Sequence, residues 1–190
     1  MEKIKGVNLG GWFVLESWMK PSLFDRINSK DETGFMKLNK NAKSDLIKHY
    51  ETFITKSDFI YLKNLGINSL RLPVPWWFQG DDIYQTSVKY IHQAYQWADE
   101  LGLTILVDLH TAPGNQNGFD NGGIEGVMTW HLDQKNIDLT IEKLELIVKE
   151  FKDYQSFYGI QVLNEPFKTI DLNIIQDFYL RSYQRIRRLT

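Results

Sequence analysis

The chain has 190 residues, 43% of them hydrophobic and 24% charged, which is enough for one domain with a real core and typical of a globular protein. A net charge of −2 argues against a nucleic-acid or membrane-surface partner, and the absence of cysteine removes disulfides and thiolate chemistry. No apolar run is long enough to span a bilayer, and the start from Met1 to Gly6 lacks the apolar core of a signal peptide. The expected location is the cytoplasm, or the cell exterior if a leader has been removed.

Ile4 to Leu9 reads as a first strand that ends at Gly10 and Gly11. Trp12 to Phe24 is apolar without a clean period and carries one acid, Glu16, among aromatics. Such a carboxylate is either turned out to water or held by a partner. Asp25 to Lys43 is polar and irregular and reads as a long loop. Ser44 to Phe53 is helical in composition. Thr55 to Asp58 has capping-box spacing and opens a helix that Gly66 stops.

Ile67 to Val74 is a second strand whose pairing is expected to end near Leu72, because Pro73 lacks an amide hydrogen. That places Arg71 at the strand's carboxyl end. Ser87 to Leu101 keeps helical spacing and ends at Gly102. Leu103 to His110 is a third strand, with His110 at its end. The stretch from Thr111 to Gly126 is rich in glycine and asparagine. Such composition makes turns anyway, yet sixteen residues is long for a plain connection.

A helix of about twenty residues follows, with Ile137, Ile141, Leu144, Ile147, Val148, Phe151 and Tyr154 along one stripe. Tyr158 to Leu163 is a fourth strand, broken by Asn164, Glu165 and Pro166. Leu172 to Leu189 is a last helix, with Ile174, Ile175, Phe178, Tyr179 and Ile186 facing inward and a basic end that suits a helix C-terminus. Strand and helix alternate four times, which predicts an α/β fold with a parallel sheet and helical crossovers. The phosphate-cradling GxGxxG and GxxxxGK[ST] patterns are absent. His92, His110 and His131 lack ligand-like spacing, so no metal and no cofactor is expected.

Arg71, His110 and the pair Asn164–Glu165 thus end three different strands. Any one of them has an ordinary structural explanation; together they form a polar constellation at the carboxyl face, where barrels of parallel strands carry out catalysis. Trp12, Trp18, Trp76, Trp77 and Trp130 lie at apparent loop ends, and their flat rings suit the faces of sugars as well as a core.

With these residues in view, the sequence resembles glycoside hydrolase family 5, most closely its exo-β-1,3-glucanase type. The matching segments are Gly6 to Glu16, Pro21 to Phe24, Leu70 to Val74, Asp108 to Asn121 and Leu163 to Pro166, in family order along the chain. The resemblance implies a (β/α)8 barrel and a retaining mechanism that divides its work between two carboxyl groups. It also implies that Glu165 is the acid/base and that Asn164 bonds the sugar 2-hydroxyl. By the same resemblance Arg71 orients the nucleophile carboxylate and His110 lines the subsite of the cleaved sugar. Glu16 and Asp120 resemble acids that hold terminal glucose hydroxyls, and Phe119 resembles half of an aromatic clamp.

The family's nucleophile, a glutamate at the seventh strand, has no matching position. Glu142, Glu145 and Glu150 lie on a helix and cannot replace it. Residues 1–190 are therefore expected to be one partial barrel domain, strands 1–4 with their helices, inactive alone. Its partner would be a β-glucoside or β-glucan oligosaccharide. The alternative is a non-catalytic half-barrel that binds carbohydrate or self-associates through open sheet edges.

Overall fold

The computed structural model describes residues 3–190; Met1 and Glu2, part of the stretch from Met1 to Gly6 read above for a signal peptide, lie outside the described residues. Four strands, β1 (Gly6–Asn8), β2 (Ser69–Val74), β3 (Thr104–Leu109) and β4 (Phe157–Gln161), form one sheet in the order β1-β2-β3-β4. Every neighbouring pair is parallel. Helices α1 (Pro21–Phe24), α2 (Glu32–Leu38), α3 (Ala42–Thr52) and α4 (Lys56–Asn64) separate β1 from β2. Helix α5 (Val88–Leu101) joins β2 to β3, α6 (Gln134–Phe151) joins β3 to β4, and α7 (Leu172–Ile186) follows β4.

The register explains the two faces of the sheet. Leu70, Leu72 and Val74 pair with Ile105, Val107 and Leu109, and all six are fully buried against the helices. The alternate positions carry Asn8, Arg71, Leu106, Asp108 and Gln161, so the other face becomes polar toward the carboxyl ends of the strands. The helices supply the matching apolar stripes: α5 buries Ile91, Ala94, Tyr95 and Ala98, and α6 buries Leu144, Ile147, Val148 and Phe151. Gly102 closes α5 at φ +59°, a left-handed cap.

Several boundaries differ from the sequence reading. The stretch read as a loop from Asp25 to Lys43 contains α2, whose seven residues are too few to show a period. Asp31 caps it by accepting from Gly34 N–H at 2.6 Å, and Phe35 anchors it in the core. Pro21 starts the short α1 inside the stretch that lacked a period. Pairing of β2 continues past Pro73 to Val74. Arg71 bonds toward β1 and Val74 toward β3, so the missing amide hydrogen of Pro73 faces the side where β1 has already ended. Strand β4 stops at Gln161 rather than Leu163, although Asn164 N–H still bonds Leu109 O at 3.0 Å.

Helix α7 buries Phe178 and leaves Tyr179 and Tyr183 exposed. Between it and β4 runs a groove of about 770 Å³, lined by Phe157, Ile160, Val162, Tyr179, Tyr183 and Ile186. The tryptophans divide. Trp12, Trp77 and Trp130 are buried, so they cannot stack on a sugar; Trp12 lies against Phe13 at 4.3 Å and donates to Tyr50 O. Trp18 is exposed and Trp76 half-buried.

Gly123 shows how tightly the loops are seated. It has φ +93°, and a Cβ there would lie 2.3 Å from the Trp77 ring. Gly126 has φ +78° and open space around it. Gly123→Ala is expected to cost about 2 kcal/mol more stability than Gly126→Ala, the difference being the ring clash alone. Urea unfolding of the two variants measures it, and equal losses would show that the indole moves aside freely.

Candidate active site

Arg71 sits on the central part of the sheet and donates outward from every nitrogen. Its Nη1 reaches Asn8 Oδ1 at 2.8 Å, its Nε reaches Gln161 Oε1 at 2.8 Å, and its Nη2 reaches Asn164 Oδ1 at 2.8 Å and Asp108 Oδ2 at 2.9 Å. Asp108 is fully buried. The same Oδ2 accepts from His110 Nδ1 at 2.7 Å, two residues along β3 and its continuation. A carboxylate has no proton to give, so in the neutral ring Nδ1 carries the hydrogen and Nε2 is left as an acceptor. Because Arg71 can only donate, Asn164 must turn its oxygen toward the guanidinium. Its Nδ2 then has no protein partner and remains free to donate.

The segment from Thr111 to Gly126 is an ordered loop built from side chain to backbone bonds. Gln116 is fully buried, donates to His110 O and Asn164 O at 2.9 Å, and accepts from Ala112 N–H. Asn115 adopts φ +57° and accepts from the amides of Asn117 and Gly118. Asn117 in turn holds Asn121, whose Nδ2 donates to Glu165 Oε2 at 3.1 Å. Asp120 is half-buried beside it, and the exposed Phe119 meets Phe167 edge-on at 5.9 Å.

Glu165 is exposed and adopts φ +43°, a conformation that costs a residue with a side chain about 1 kcal/mol or more. Glu16 lies across from it on the loop after β1 and accepts from Trp18 Nε1 at 3.0 Å. Burial pushes its carboxyl up, the Trp18 bond and His110 pull it down, and the charges of Asp120 and Glu165 push it up again. Glu16, His110, Asp120 and Glu165 therefore share one electrostatic neighbourhood. The structure brings together Glu16, Arg71, His110, Asp120, Asn164 and Glu165 at one end of the sheet, with Phe119 at the margin.

Sequence reasoning missed Asn8, Asp108, Gln116, Asn121 and Gln161. Asp108 had a signal: it stands two residues before His110 on a strand, which puts both side chains on one face. Asn8 and Gln161 are strand-end polar residues like those singled out, and Gln116 and Asn121 were hidden in a low-complexity stretch.

The model of cellulase, glycosyl hydrolase family 5, matches residues 28–189. The chain belongs to this family. A glucan 1,3-beta-glucosidase of Schwanniomyces occidentalis is 39% identical over 97% of the chain and 48% of its own length. One from Schizosaccharomyces pombe, glucan 1,3-beta-glucosidase 1, is 36% identical over the whole chain and 50% of its own length. The chain thus spans about half the length of the curated relatives it matches. Among solved structures, the rutinosidase from Aspergillus niger superposes with a TM-score of 0.87 at 22% identity, covering 98% of this chain and 59% of that one. Family 5 enzymes are barrels, and the four parallel strands with their helices are half of one.

Arg71→Lys keeps the charge but cannot reach four acceptors with a planar fork. It leaves the buried Asp108 poorly paired, and a loss of about 2–4 kcal/mol in urea unfolding is expected. A loss below about 0.5 kcal/mol, the range of ordinary surface changes, would show that the guanidinium ties nothing together.

Proposed function

We propose that residues 1–190 form the first half of the catalytic domain of a retaining β-glucan hydrolase acting on glucan 1,3-β-glucosidic bonds. The observation that carries this reading is the pairing of Glu165 with Asn164. One presents a carboxyl to the cleft, and the other a side-chain amide whose free hydrogens Arg71 has aimed by occupying its oxygen. Glu165 acts as general acid, protonating the leaving oxygen, and then as general base toward water. Asn164 Nδ2 donates to the sugar 2-hydroxyl, an interaction that strengthens as the oxocarbenium ion forms.

His110 lines the subsite of the cleaved sugar with Nε2 as acceptor. Glu16 and Asp120 hold hydroxyls of the terminal glucose through charge-assisted bonds, and Phe119 guards the entrance. Arg71 steadies the nucleophile carboxylate, which the half of the barrel represented only in the longer relatives supplies. Glu16 and Asp120 do not take that part, because their position suits hydroxyl binding on the loops. The relatives' names, which specify a glucan 1,3-beta-glucosidase, support the substrate class.

The test is a chimera in which this chain replaces the matching half of the Schwanniomyces occidentalis enzyme. Hydrolysis of laminaribiose is expected, and Glu165→Gln should lower it by about two orders of magnitude or more. The loss should shrink on an aryl glucoside with a very good leaving group, which needs little protonation. Equal losses on good and poor leaving groups, or a folded chimera without hydrolysis, would overturn the assignment.

The isolated chain is expected to hydrolyse no aryl β-glucoside, since one of the two carboxyl groups is missing. It is also expected to self-associate. The outer edge of β4 and the tyrosine-lined groove beside α7 present the unpaired backbone and apolar surface that recruit another chain. Sedimentation velocity should show a weight-average mass that rises through the micromolar range; a concentration-independent monomer would contradict this.

A further inference from the structure

Three consecutive residues at the start of α2 touch the loops that follow β1, β2 and β3. Glu32 is fully buried; its Oε2 accepts from Leu15 N–H at 3.0 Å and its Oε1 from Trp77 Nε1–H at 3.0 Å. Leu15 directly precedes Glu16, and Trp77 lies in the loop after β2. Asp31 caps the helix with Oδ1 and reaches the loop after β3 with Oδ2, which accepts from Glu125 N–H at 2.9 Å. Thr33 donates its amide to Gly123 O at 3.0 Å and its hydroxyl to the same oxygen. With that proton used, Tyr84 O–H donates to Thr33 Oγ1 at 2.7 Å.

The aromatic rings close the arrangement. Tyr84 stacks on Trp77 with centroids 4.2 Å apart and planes 14° from parallel. Trp77 fills the space over Gly123, and Gly123 lies three residues beyond Asp120. A carboxyl in the position of Glu32 is costly: burial pushes it up to about 7, and the two N–H donors only partly offset this. An apolar residue would fill the space without that penalty. What a carboxylate provides is two acceptors at a fixed separation, each facing a donor from a different loop.

We infer that Asp31, Glu32 and Thr33 are positioning residues that hold Glu16 at a fixed distance from Asp120 and so decide which sugar hydroxyls the cleft accepts. The second clause rests on the hydroxyl-binding reading of Glu16 and Asp120; the positioning does not.

The experiment uses the 190-residue chain and two variants, followed by amide hydrogen exchange and by carboxyl-carbon NMR. Glu32→Gln keeps the shape but turns an N–H₂ toward a donor, so one of the two bonds is lost. Exchange at the Leu15 amide or at the Trp77 indole N–H, whichever comes to face the glutamine nitrogen, should rise about tenfold. The Glu16 titration should move down toward an ordinary carboxylate as the residue loses its burial and the nearby charges of Asp120 and Glu165. Asp31→Ala spares Glu32 and removes the carboxylate that accepts from Glu125 N–H in the other loop. Exchange at the Glu125 amide should rise by a similar factor, and the Glu16 titration should move the same way as Asp120 retreats. Lower melting temperatures with an unchanged Glu16 titration in the folded variants would make the cluster merely structural and overturn the inference. Methyl β-glucoside separates the two clauses. A wild-type chain whose Glu16 and Asp120 signals ignore it overturns the specificity clause together with the hydroxyl-binding reading, while the exchange and titration results decide the positioning.

Discussion

One guanidinium meets all four strands. Arg71 belongs to β2 and bonds Asn8 of β1, Asp108 of β3 and Gln161 of β4, then Asn164 just beyond. Only arginine has the donors for this, fixed in one plane and charged at every accessible pH. The consequences run outward. Asp108 is a buried carboxylate and would be strongly unfavourable without a charged neighbour. With Arg71 in place it also fixes the His110 ring, and Asn164 has its amide direction decided. The orientation of three cleft side chains thus follows from one residue on a central strand.

The loops need a second source of order, because they lie beyond the ladder. Gln116 supplies it for the loop after β3 by joining His110 O to Asn164 O, and Asn115, Asn117 and Asn121 continue it to Glu165. The strain at Glu165 makes sense in this setting. A left-handed glutamate persists where its neighbours over-determine it, and here they do so from both sides. Half of a family 5 barrel therefore carries a dense set of bonds for its own half of the cleft. Among the described residues, β1 and β4 each pair on one side only, and the groove at α7 lies beside the β4 edge.

Much of this was legible in the sequence where physics acts locally. Apolar runs marked β2, β3 and β4, glycines marked the ends of α4 and α5, and polar residues at strand ends marked Arg71, His110 and Glu165. What was hidden depends on distant partners. Glu32 lies in a polar stretch, and nothing there reveals that Leu15 and Trp77 will meet it in the core. Trp12 and Trp18 look alike in sequence, yet one is fully buried and the other exposed. The glycine and asparagine run from Thr111 to Gly126 has the composition of a slack loop. Its order comes from asparagine and glutamine side chains bonding backbone, which composition cannot distinguish from solvation.

The Arg71–Asp108 pair sets the chemistry facing the cleft. The most direct measurement is the nitrogen NMR spectrum of the His110 ring, taken where the ring is neutral. A single tautomer with hydrogen on Nδ1 and a bare Nε2 is expected, lost in Asp108→Asn. Hydrogen on Nε2, or a ring averaging between tautomers in the wild-type chain, would contradict it.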